Sequence, residues 1–475
     1  MRKTLLRWHR PLAMIAAIPL LAWTLTGLLH PVMSRWQPSA VAMKPPAEML
    51  APPSGLAWSD LPAPAQTLPA ALPLRELRAL TWQQKPYWMA QTATGERRYF
   101  HASSGQPANI EQALVVALAR HYTGSQKPVL SLREVHAFDD EYAFVGRYLP
   151  VWRVAFDQPD GLVAFIEPRS LLLTGITDTW KTRFSWMFSN LHSWKWWSHE
   201  PSRDIAMAAF LSAASLLVLS GLVRAATTKS APQAGWLQRW HRRIGWTVAA
   251  AALAWLCSGL FHVLAINKGR PAFATYPLQL AFMPAELVQK APLAIDTQAR
   301  VKVLATPDGP LWHWHFLQLL GASAAMPAEH AEHQHKPAAP TLREAYVSAR
   351  TGQIVQPQDY VRALTAGVAA GATGLTYEPV TKFTDEYGFV QKRLPVYKVQ
   401  FASADHLAVY VDPVDAAVAA VVRDLDRVEG FSFAYLHKVH WLDALGKDVR
   451  DAVMGLFALL IFAMTTVGLS FLRRK

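Results

Sequence analysis

One apolar pattern occurs twice in this chain, 232 residues apart, and each copy is long enough to cross a membrane as a helix. Both copies open with Arg-Trp-His-Arg and continue through a tryptophan and a glycine to a closing histidine. The positions are 7–10, Trp23, Gly27 and His30 in the first copy, and 239–242, Trp255, Gly259 and His262 in the second. Ligating groups at the ends of membrane helices cost free energy unless they are solvated or used. A histidine pair found twice in this setting therefore indicates a bound cofactor.

Composition agrees with a chain that is partly in a membrane. With 52% hydrophobic and 17% charged residues, it is too apolar for an ordinary soluble enzyme and too charged to be membrane throughout. The candidate spans are 11–33, 204–224, 243–266 and 451–472. The long stretches 34–203 and 267–450 alternate apolar and polar residues, which is typical of folded, water-exposed domains. The predicted fold is an α-helical membrane protein with four transmembrane helices and two α+β modules, internally duplicated.

The first span has a second interpretation, because Ala-Val-Ala at 40–42 resembles the cleavage site of a signal peptide. Its near-twin at 243–266 lies in mid-chain, where it can only be an anchor. The duplication therefore favours a retained helix, and 1–33 is read as a short cytoplasmic N-terminus followed by span one.

Basic residues predict the orientation of the spans. They cluster before span one, in the loop 225–242 with its flanks, and in the tail that ends the segment 451–475. The members are Arg2, Lys3, Arg7 and Arg10; Arg224, Lys229, Arg239, Arg242 and Arg243; and Arg473, Arg474 and Lys475. All three clusters lie on one side in a four-span topology, and the positive-inside rule makes that side cytoplasmic. Both termini are then cytoplasmic and both modules periplasmic, in a bacterial inner membrane. The net charge of +13 follows in part from these clusters and does not indicate nucleic-acid binding.

A second register, offset by 245 residues, relates the two long stretches. The matched residues are Phe138, 140–142, Phe144, 149–151, Phe156, Pro168, Phe188, Leu191 and His192, with Phe383, 385–387, Phe389, 394–396, Phe401, Pro413, Phe433, Leu436 and His437. Apolar spacing predicts a helix at 112–121. Strands are predicted within 142–156 and 161–166, and within 387–401 and 407–412. The Ala/Pro/His-rich stretch 321–340 is read as an insertion in the second copy, and 34–75 as an extended linker or sheet edge.

These motifs resemble the PepSY-associated transmembrane family over nearly the whole chain. The resemblance rests on the Arg-Trp-His-Arg entries, the Asp-Glu-Tyr-x-Phe and Leu-Pro-Val-Trp/Tyr-x-Val segments, and the Leu-His before spans two and four. It implies two periplasmic PepSY-like modules between membrane helices. The characterised members resemble haem-containing inner-membrane reductases that release iron from ferric siderophores.

Six histidines are candidate ligands of haem b, since neutral imidazole is its usual axial ligand. They form three duplicated pairs: His30 with His262, His192 with His437, and His9 with His241. The alternative for each is an interfacial residue, because histidines and aromatic side chains are common where helices meet the headgroups. His440 competes with His437 as the ligand of the second copy.

The pairing of these ligands stays open at this stage. His9 and His30 are 21 residues apart, which is about 31 Å of helical rise and spans the membrane. One haem at each end of the spans is one arrangement. Two haems on the outer side, bound by His30 with His192 and by His262 with His437, are the other. Trp23 and Trp255 are expected to pack between helices.

A second histidine concentration, at His330, His333 and His335, is a weak candidate for zinc, copper or nickel. A solvated loop is the favoured interpretation, because this stretch has no duplicate. Because Cys257 is the single cysteine of the sequence, an intramolecular disulfide is excluded. This residue is expected to be a small buried residue of span three. Asp140-Glu141 and Asp385-Glu386 are expected to serve turns or strand edges, with Tyr142 and Tyr387 packed inward.

The expected function is electron transfer to a ferric siderophore or another ferric chelate, which makes the protein an oxidoreductase. Its catalytic residues are unknown, and its electron donor is quinol or a separate reductase, since no flavin or nicotinamide fingerprint occurs. Two alternatives stay open. One is a membrane-anchored binding or regulatory protein without enzymatic activity, and the other is a periplasmic reductase of another metal such as copper.

Overall fold

The computed structural model describes residues 2–143, 148–228, 235–266, 280–287, 299–306, 308–316, 344–365, 374–388, 394–413 and 417–472. The chain divides into two compact units. A helical unit contains 1–37, 179–271 and 424–475, and a sheet unit contains 38–178 and 272–423. Each unit is thus assembled from both copies of the internal repeat.

Long helices dominate the helical unit, and four of them are long and apolar enough to cross a membrane. The α-helices in the described part of the chain are α1 Arg2–Trp36, α2 Ala47–Leu50, α3 Pro64–Thr67, α4 Glu111–Thr123, α5 Thr179–Met187, α6 Glu200–Thr227, α7 Trp236–Ile266, α8 Pro357–Thr365, α9 Asp424–Ser432 and α10 Lys447–Leu472. The four candidate spans lie in α1, α6, α7 and α10. The predicted spans are therefore confirmed as apolar helices, each slightly longer than its apolar core.

The four spans pack along a core of small and branched side chains. Its buried members include Ala16 and Leu20 of α1, Leu211 of α6, Leu256 of α7 and Ile461 of α10. Small residues let helix backbones approach closely, which is the main source of helix association where water is absent. Cys257 is exposed on the side of α7, so the expected burial of this residue is wrong.

Antiparallel strands build the sheet unit. They are β1 Leu74–Trp82, β2 Lys85–Thr92, β3 Arg97–His101, β4 Pro107–Ala108, β5 Val129–Val135, β6 Val151–Phe156, β7 Val163–Glu167, β8 Leu172–Thr177, β9 Ala299–Thr306, β10 Gly309–Phe316, β11 Glu344–Ser348, β12 Ile354–Val355, β13 Gly374–Val380, β14 Val396–Phe401, β15 Ala408–Asp412 and β16 Ala417–Val422. Two sheets have four strands each, in the orders β5-β6-β7-β8 and β13-β14-β15-β16. A third has eight, in the order β12-β11-β10-β9-β1-β2-β3-β4.

The eight-stranded sheet joins the two copies edge to edge. Strands β1 and β9 pair antiparallel, with Leu77 opposite Val303 and Arg78 opposite Lys302. Arg78 and Lys302 are equivalent residues of the two copies, because the same spacing relates Trp88 to Trp312. A pseudo-twofold axis therefore passes between these two basic residues. The modules that the sequence presents as separate stretches share one continuous sheet, which also closes an open edge of each copy.

Each four-stranded sheet packs against a helix, as the patterning predicts. Helix α4 buries Leu114 and Leu118 against Val154 and Ile166, and α8 buries Val361 against its own sheet. Helix α4 coincides with the predicted 112–121 and ends at Gly124, which adopts the left-handed conformation.

Two further expectations on the sheet unit have different outcomes. Tyr142 and Tyr387 are fully buried, which confirms their inward packing. Of the two interpretations of 34–75, an extended linker or a sheet edge, the linker is wrong, because Leu50 and Trp58 are buried in the cores, and a strand begins only at Leu74. Proline limits regular helix in this stretch but does not prevent short turns from covering a sheet.

Buried charges lie at the pseudo-twofold axis. The Glu76 carboxylate accepts hydrogen bonds from Arg78 at 2.7 and 3.0 Å, and Arg169 approaches it to 3.3 Å. Burial alone would raise the pKa of Glu76, but the charges of Arg78, Arg169 and Lys302 outweigh it and lower the pKa to about 2. The carboxylate thus offsets the charges of Arg78 in β1 and of Arg169 in the β7–β8 turn, while burial lowers the pKa of Lys302 well below the usual range of lysine.

Replacing Glu76→Gln should lower the free energy of unfolding of the sheet unit by about 3–5 kcal/mol, the usual cost of removing one partner of a buried ion pair. Since the pKa of Glu76 falls from 4.5 to about 2 on folding, its contribution is complete above pH 4.5 and is lost as the pH falls toward 2. Denaturant titration followed by tryptophan fluorescence, at pH 7 and at pH 3, measures both effects.

The matched control is Glu96→Gln, because Glu96 and Arg98 repeat the same Glu-x-Arg spacing on the surface. This variant should unfold at the wild-type denaturant concentration. Equal effects of Glu76→Gln and Glu96→Gln would contradict a specific role for the buried cluster.

Candidate functional site

All six candidate histidines belong to the helical unit, at opposite ends of its spans. His30, His192, His262 and His437 lie together at one end, which we call the four-histidine end. His9 and His241 lie at the entries of α1 and α7, which we call the two-histidine end. The chain thus concentrates imidazoles where apolar helices begin and finish.

Six aromatic rings form a continuous array at the four-histidine end. In order, the rings belong to His30, Phe188, His192, His437, Phe433 and His262. The successive centroid distances are 5.8, 4.5, 6.4, 4.7 and 5.0 Å. The order of ring types is symmetric about the centre of the array, where His192 and His437 meet edge to face with ring planes 89° apart.

A π-helical turn places the inner rings in each copy. Phe188–His192 and Phe433–His437 are both π turns, closed by hydrogen bonds from the residue after histidine to the phenylalanine carbonyl. Residues four apart share a helix face, so Phe188 stacks on His192 and Phe433 on His437, with planes within 11° and 9°. Such turns are rare and are frequently found at functional sites.

Strained backbone follows closely after both turns. Trp194 and Val439 are equivalent in the two copies, and both have positive φ, at 52° and 56°. For a branched residue such as valine, this conformation is an outlier that the surrounding fold must hold. The same strain in both copies therefore indicates that the turn geometry is required rather than incidental.

Hydroxyl groups of the spans fix the central imidazoles. Nδ1 of His192 lies 2.9 Å from Thr26 Oγ1, and Nδ1 of His437 lies 3.0 Å from Ser258 Oγ. Both hydroxyls donate their own proton to a backbone carbonyl one turn back. Each hydroxyl oxygen therefore accepts the Nδ1–H of its histidine, and Nε2 keeps an unshared electron pair. That is the tautomer a metal ligand needs.

Electrostatics keeps both central imidazoles neutral. Burial first, and then the neighbouring imidazoles of His437, His30 and His262, lower the pKa of His192 to about 3. Burial and His262 likewise lower the pKa of His437 to about 4. At neutral pH both rings are therefore uncharged bases.

The terminal histidines of the array differ between the copies. Nδ1 of His262 lies 2.5 Å from Glu429 Oε1, so the carboxylate accepts its proton. His30 packs against Phe188, and no carboxylate contact of this kind is found for it in the part of the chain that the structure describes. A phenyl ring separates each terminal histidine from the central one, so the pairs His30 with His192 and His262 with His437 are not in direct ring contact.

Glycines receive the imidazoles at the two-histidine end. A Cβ atom built on Gly221 would lie 3.2 Å from Cε1 of His9, and one on Gly468 would lie 3.1 Å from Cε1 of His241. Nδ1 of His9 donates to Ser220 Oγ at 2.9 Å, and Nδ1 of His241 donates to the carbonyl of Met464 at 3.2 Å. Both rings are therefore held against a bare helix backbone, again with Nε2 available.

The histidines of the site suit a metal cofactor in which the organic part supplies most of the metal's ligands. Among the described residues, no group of three or more His, Cys, Asp and Glu side chains converges to hold an ion. Two facing imidazoles suffice for haem iron, because the porphyrin supplies four nitrogens. A metal held between two imidazoles lies ~2.0–2.1 Å from each ligating nitrogen. Adding the distance from each nitrogen to the centre of its ring gives a centroid separation of roughly 6 Å. His192 and His437 fit this requirement at 6.4 Å.

Several contact residues of the site were not anticipated from the sequence. Thr26 and Ser258 fall at matching positions between the predicted tryptophan and histidine of each span, which is the signal that could have identified them. Gly221 and Gly468 are likewise equivalent, with the same spacing as the Arg-Asp pairs at 203–204 and 450–451. Gly27 faces open space, with nothing within 4 Å of a built Cβ, whereas a Cβ on its equivalent Gly259 would lie 3.7 Å from the side chain of Leu211.

Trp23 packs at the four-histidine end, whereas the remaining ligand candidates lie outside the ring array or outside the described residues. Trp23 donates to the carbonyl of His192 at 3.0 Å and stacks on Trp194, in agreement with the expected packing role. Nδ1 of His440 lies 2.8 Å from Oδ2 of Asp443, and this histidine stays outside the ring array. His330, His333 and His335 lie outside the described residues, as does the whole stretch 321–340.

No protein family, curated protein or solved structure matches this chain. The motifs in the sequence and the geometry of the helical unit are therefore the features that bear on function.

Replacing Thr26→Val removes the acceptor of the His192 Nδ1–H at nearly constant side-chain volume. Leaving this N–H unpaired should cost about 1–3 kcal/mol of unfolding free energy. Unfolding of the purified protein in mixed micelles, with histidine ¹⁵N NMR as a probe of the tautomer, measures the loss. Thr26→Ser keeps the hydroxyl and should retain wild-type behaviour, whereas equal losses in both variants would contradict the hydrogen-bond argument.

Proposed function

We propose that this chain is an inner-membrane haem b protein that passes electrons to a ferric chelate in the periplasm. The favoured substrate is a ferric siderophore, as in the PepSY-associated transmembrane family that the sequence resembles. One electron converts Fe(III) to Fe(II), which hard oxygen ligands bind far more weakly, so the chelate releases its iron for uptake.

The facing pair of His192 and His437 carries this proposal. Both imidazoles are neutral, both have Nδ1 held by a hydroxyl of a neighbouring span, and their centroid separation suits two ligands of one iron. Closed coordination by two imidazoles suits electron transfer rather than oxygen chemistry, because no iron position is left open. Haem would supply a one-electron carrier at this position.

The chain's own residues would hold the carrier and set its surroundings. Thr26 and Ser258 fix the ligand tautomers, while Phe188 and Phe433 cover one face of each ligand and hold its plane. Small and apolar residues of the span core would exclude water from the side of the site that adjoins the spans. These contacts define a preorganised site, in which little has to move when the charge on the metal changes.

A second haem at the two-histidine end would connect the two sides of the membrane. His9 and His241 offer Nε2 next to Gly221 and Gly468, whose missing side chains let the imidazoles lie directly against the helix backbones. One or two haems per chain are thus consistent with the available ligands. The electron donor would be quinol or a separate reductase.

Membrane placement follows from the four apolar helices and from the aromatic residues near their ends. Trp180, Trp186, Trp196, Phe431 and Trp441 are all more than half exposed, and all lie close to the four-histidine end. Tryptophan and other aromatic residues prefer the headgroup region, so these positions suit a membrane interface. Arg10, Arg224, Arg239 and Arg242 accompany the two-histidine end, which the positive-inside rule assigns to the cytoplasm.

Purified protein should contain one or two haems per chain and give the sharp reduced spectrum of a six-coordinate b-type haem. His192→Ala and His437→Ala should each remove that spectrum, or convert it to a high-spin form, because one axial ligand is lost. Visible difference spectra of oxidised and dithionite-reduced protein, with haem quantified per chain, measure the effect. The same assay on His30→Ala and His262→Ala tests the terminal histidines.

The control is His199→Asn, which changes an exposed histidine that caps α6 outside the ring array. Its spectrum should equal that of the wild type. Haem-free wild-type protein, expressed with ample haem, would contradict the proposal and would favour a membrane-anchored binding protein instead.

Reduced wild-type protein should be reoxidised by a ferric hydroxamate siderophore, with Fe(II) trapped by a ferrous-specific dye. His437→Ala should lose at least ten-fold in rate, because it disrupts the carrier. Deletion of 328–336 should leave the rate unchanged, since this proposal gives the His-rich stretch no role. Loss of Cu(II) reduction alone on that deletion would favour a copper reductase.

A further inference from the structure

One acidic residue breaks the symmetry of the six-ring array. The offset of 245 residues that aligns Phe433 with Phe188 also aligns Glu429 with Phe184. Helices α5 and α9, which carry these two residues, have the same length of nine residues and lead into equivalent π turns. The two copies therefore differ at this position by chemistry and not by backbone.

Glu429 is placed to act on the array. Its side chain is 14% exposed, and its Oε1 lies 2.5 Å from Nδ1 of His262. His262 in turn packs on Phe433 at 5.0 Å, and Phe433 stacks on His437 at 4.7 Å. In the first copy, Phe184 packs on Trp180 at 6.2 Å instead.

A carboxylate in this position favours the oxidised state of a nearby metal. It draws the imidazole proton toward itself, which makes the ring a stronger electron donor. Its negative charge also stabilises the higher positive charge of Fe(III) in a low-dielectric setting. Both effects lower the reduction potential of the iron. The effect of the negative charge acts whether the iron is bound by His262 or by His192 and His437.

We propose that Glu429 is a positioning residue that lowers the midpoint potential of the haem at the four-histidine end. The inference rests on the proposed function, because it needs a haem there. A lower potential gives the reduced carrier more driving force toward a ferric chelate, whose tight binding of Fe(III) makes it a poor electron acceptor. The first copy, with phenylalanine at this position, makes no such contribution.

Lys438 acts in the opposite sense and provides an internal check. Its Nζ lies 5.3 Å from the centre of the Phe433 ring, and Glu429 is one of its charged neighbours. The equivalent residue in the first copy is Ser193. Removing this cation with Lys438→Gln should therefore lower the potential, whereas removing the carboxylate should raise it.

The test is a redox titration of the full-length, haem-loaded protein in detergent. Glu429→Gln keeps the size and hydrogen-bonding capacity of the side chain but removes its charge. We expect at least a ten-fold change in the ratio of oxidised to reduced haem at fixed potential, an upward shift of 59 mV for a one-electron couple. Glu429→Asp keeps the charge and should stay near the wild-type potential.

The matched control is Phe184→Gln, which places the same amide at the equivalent position of the first copy and should leave the potential unchanged. Phe184→Glu adds the missing carboxylate beside the first copy and should lower the potential. This second variant decides the question if Glu429→Gln loses haem during purification.

The outcomes distinguish a failure of the inference about Glu429 from a failure of the proposed haem function. An unchanged potential in Glu429→Gln with full haem content overturns this inference and leaves the haem proposal intact. Loss of haem in Glu429→Gln, together with no change in Phe184→Glu, also overturns it. A wild-type protein without haem overturns the proposed function itself. Opposite shifts in Glu429→Gln and Lys438→Gln support the inference.

Discussion

A buried imidazole has to find partners for two nitrogens, and this requirement organises the helical unit. At the four-histidine end, spans one and three supply the hydroxyls of Thr26 and Ser258 to the histidines that precede spans two and four. Each hydrogen bond therefore ties two helices of one copy together. Because Nδ1 makes the hydrogen bond to the hydroxyl, Nε2 keeps its unshared electron pair. The same contact that removes a desolvation cost would also prepare the proposed haem ligand.

Duplication extends this local solution into a symmetric one. Two equivalent histidines meet near the centre of the ring array, just as two equivalent basic residues, Arg78 and Lys302, meet at the axis of the eight-stranded sheet. Neutral imidazoles tolerate this proximity, whereas like charges do not. The sheet therefore departs from exact symmetry, because the residue equivalent to Glu76 in the second copy is Arg300, so that β1 alone contributes a carboxylate at this position. The cost of burying like charges explains why the two copies diverge at such positions.

The sequence predicted the elements that depend on periodicity and local propensity. Apolar runs identified the four spanning helices, the spacing of apolar residues identified α4, and the two registers identified the six histidines. Other features depend on contacts between residues far apart in the chain. The π turns at Phe188 and Phe433 have no composition that distinguishes them from α-helix, and the pairing of β1 with β9 joins strands more than two hundred residues apart. Thr26, Ser258, Gly221 and Gly468 look like ordinary span residues until a histidine from another helix is found against them.

Comparison of the two copies recovers part of what single-residue patterns miss. Where both copies keep the same residue type at a contact, as with Thr26 and Ser258, a shared structural requirement is the simplest explanation. Where only one copy changes, as with Glu429 and Phe184, the fold itself does not require the change, because the same backbone accommodates both. A carboxylate beside a semi-buried imidazole has a desolvation cost that phenylalanine does not have. Its presence in one copy therefore points to a property that is needed once per chain, and the electrostatic setting of a redox centre is such a property.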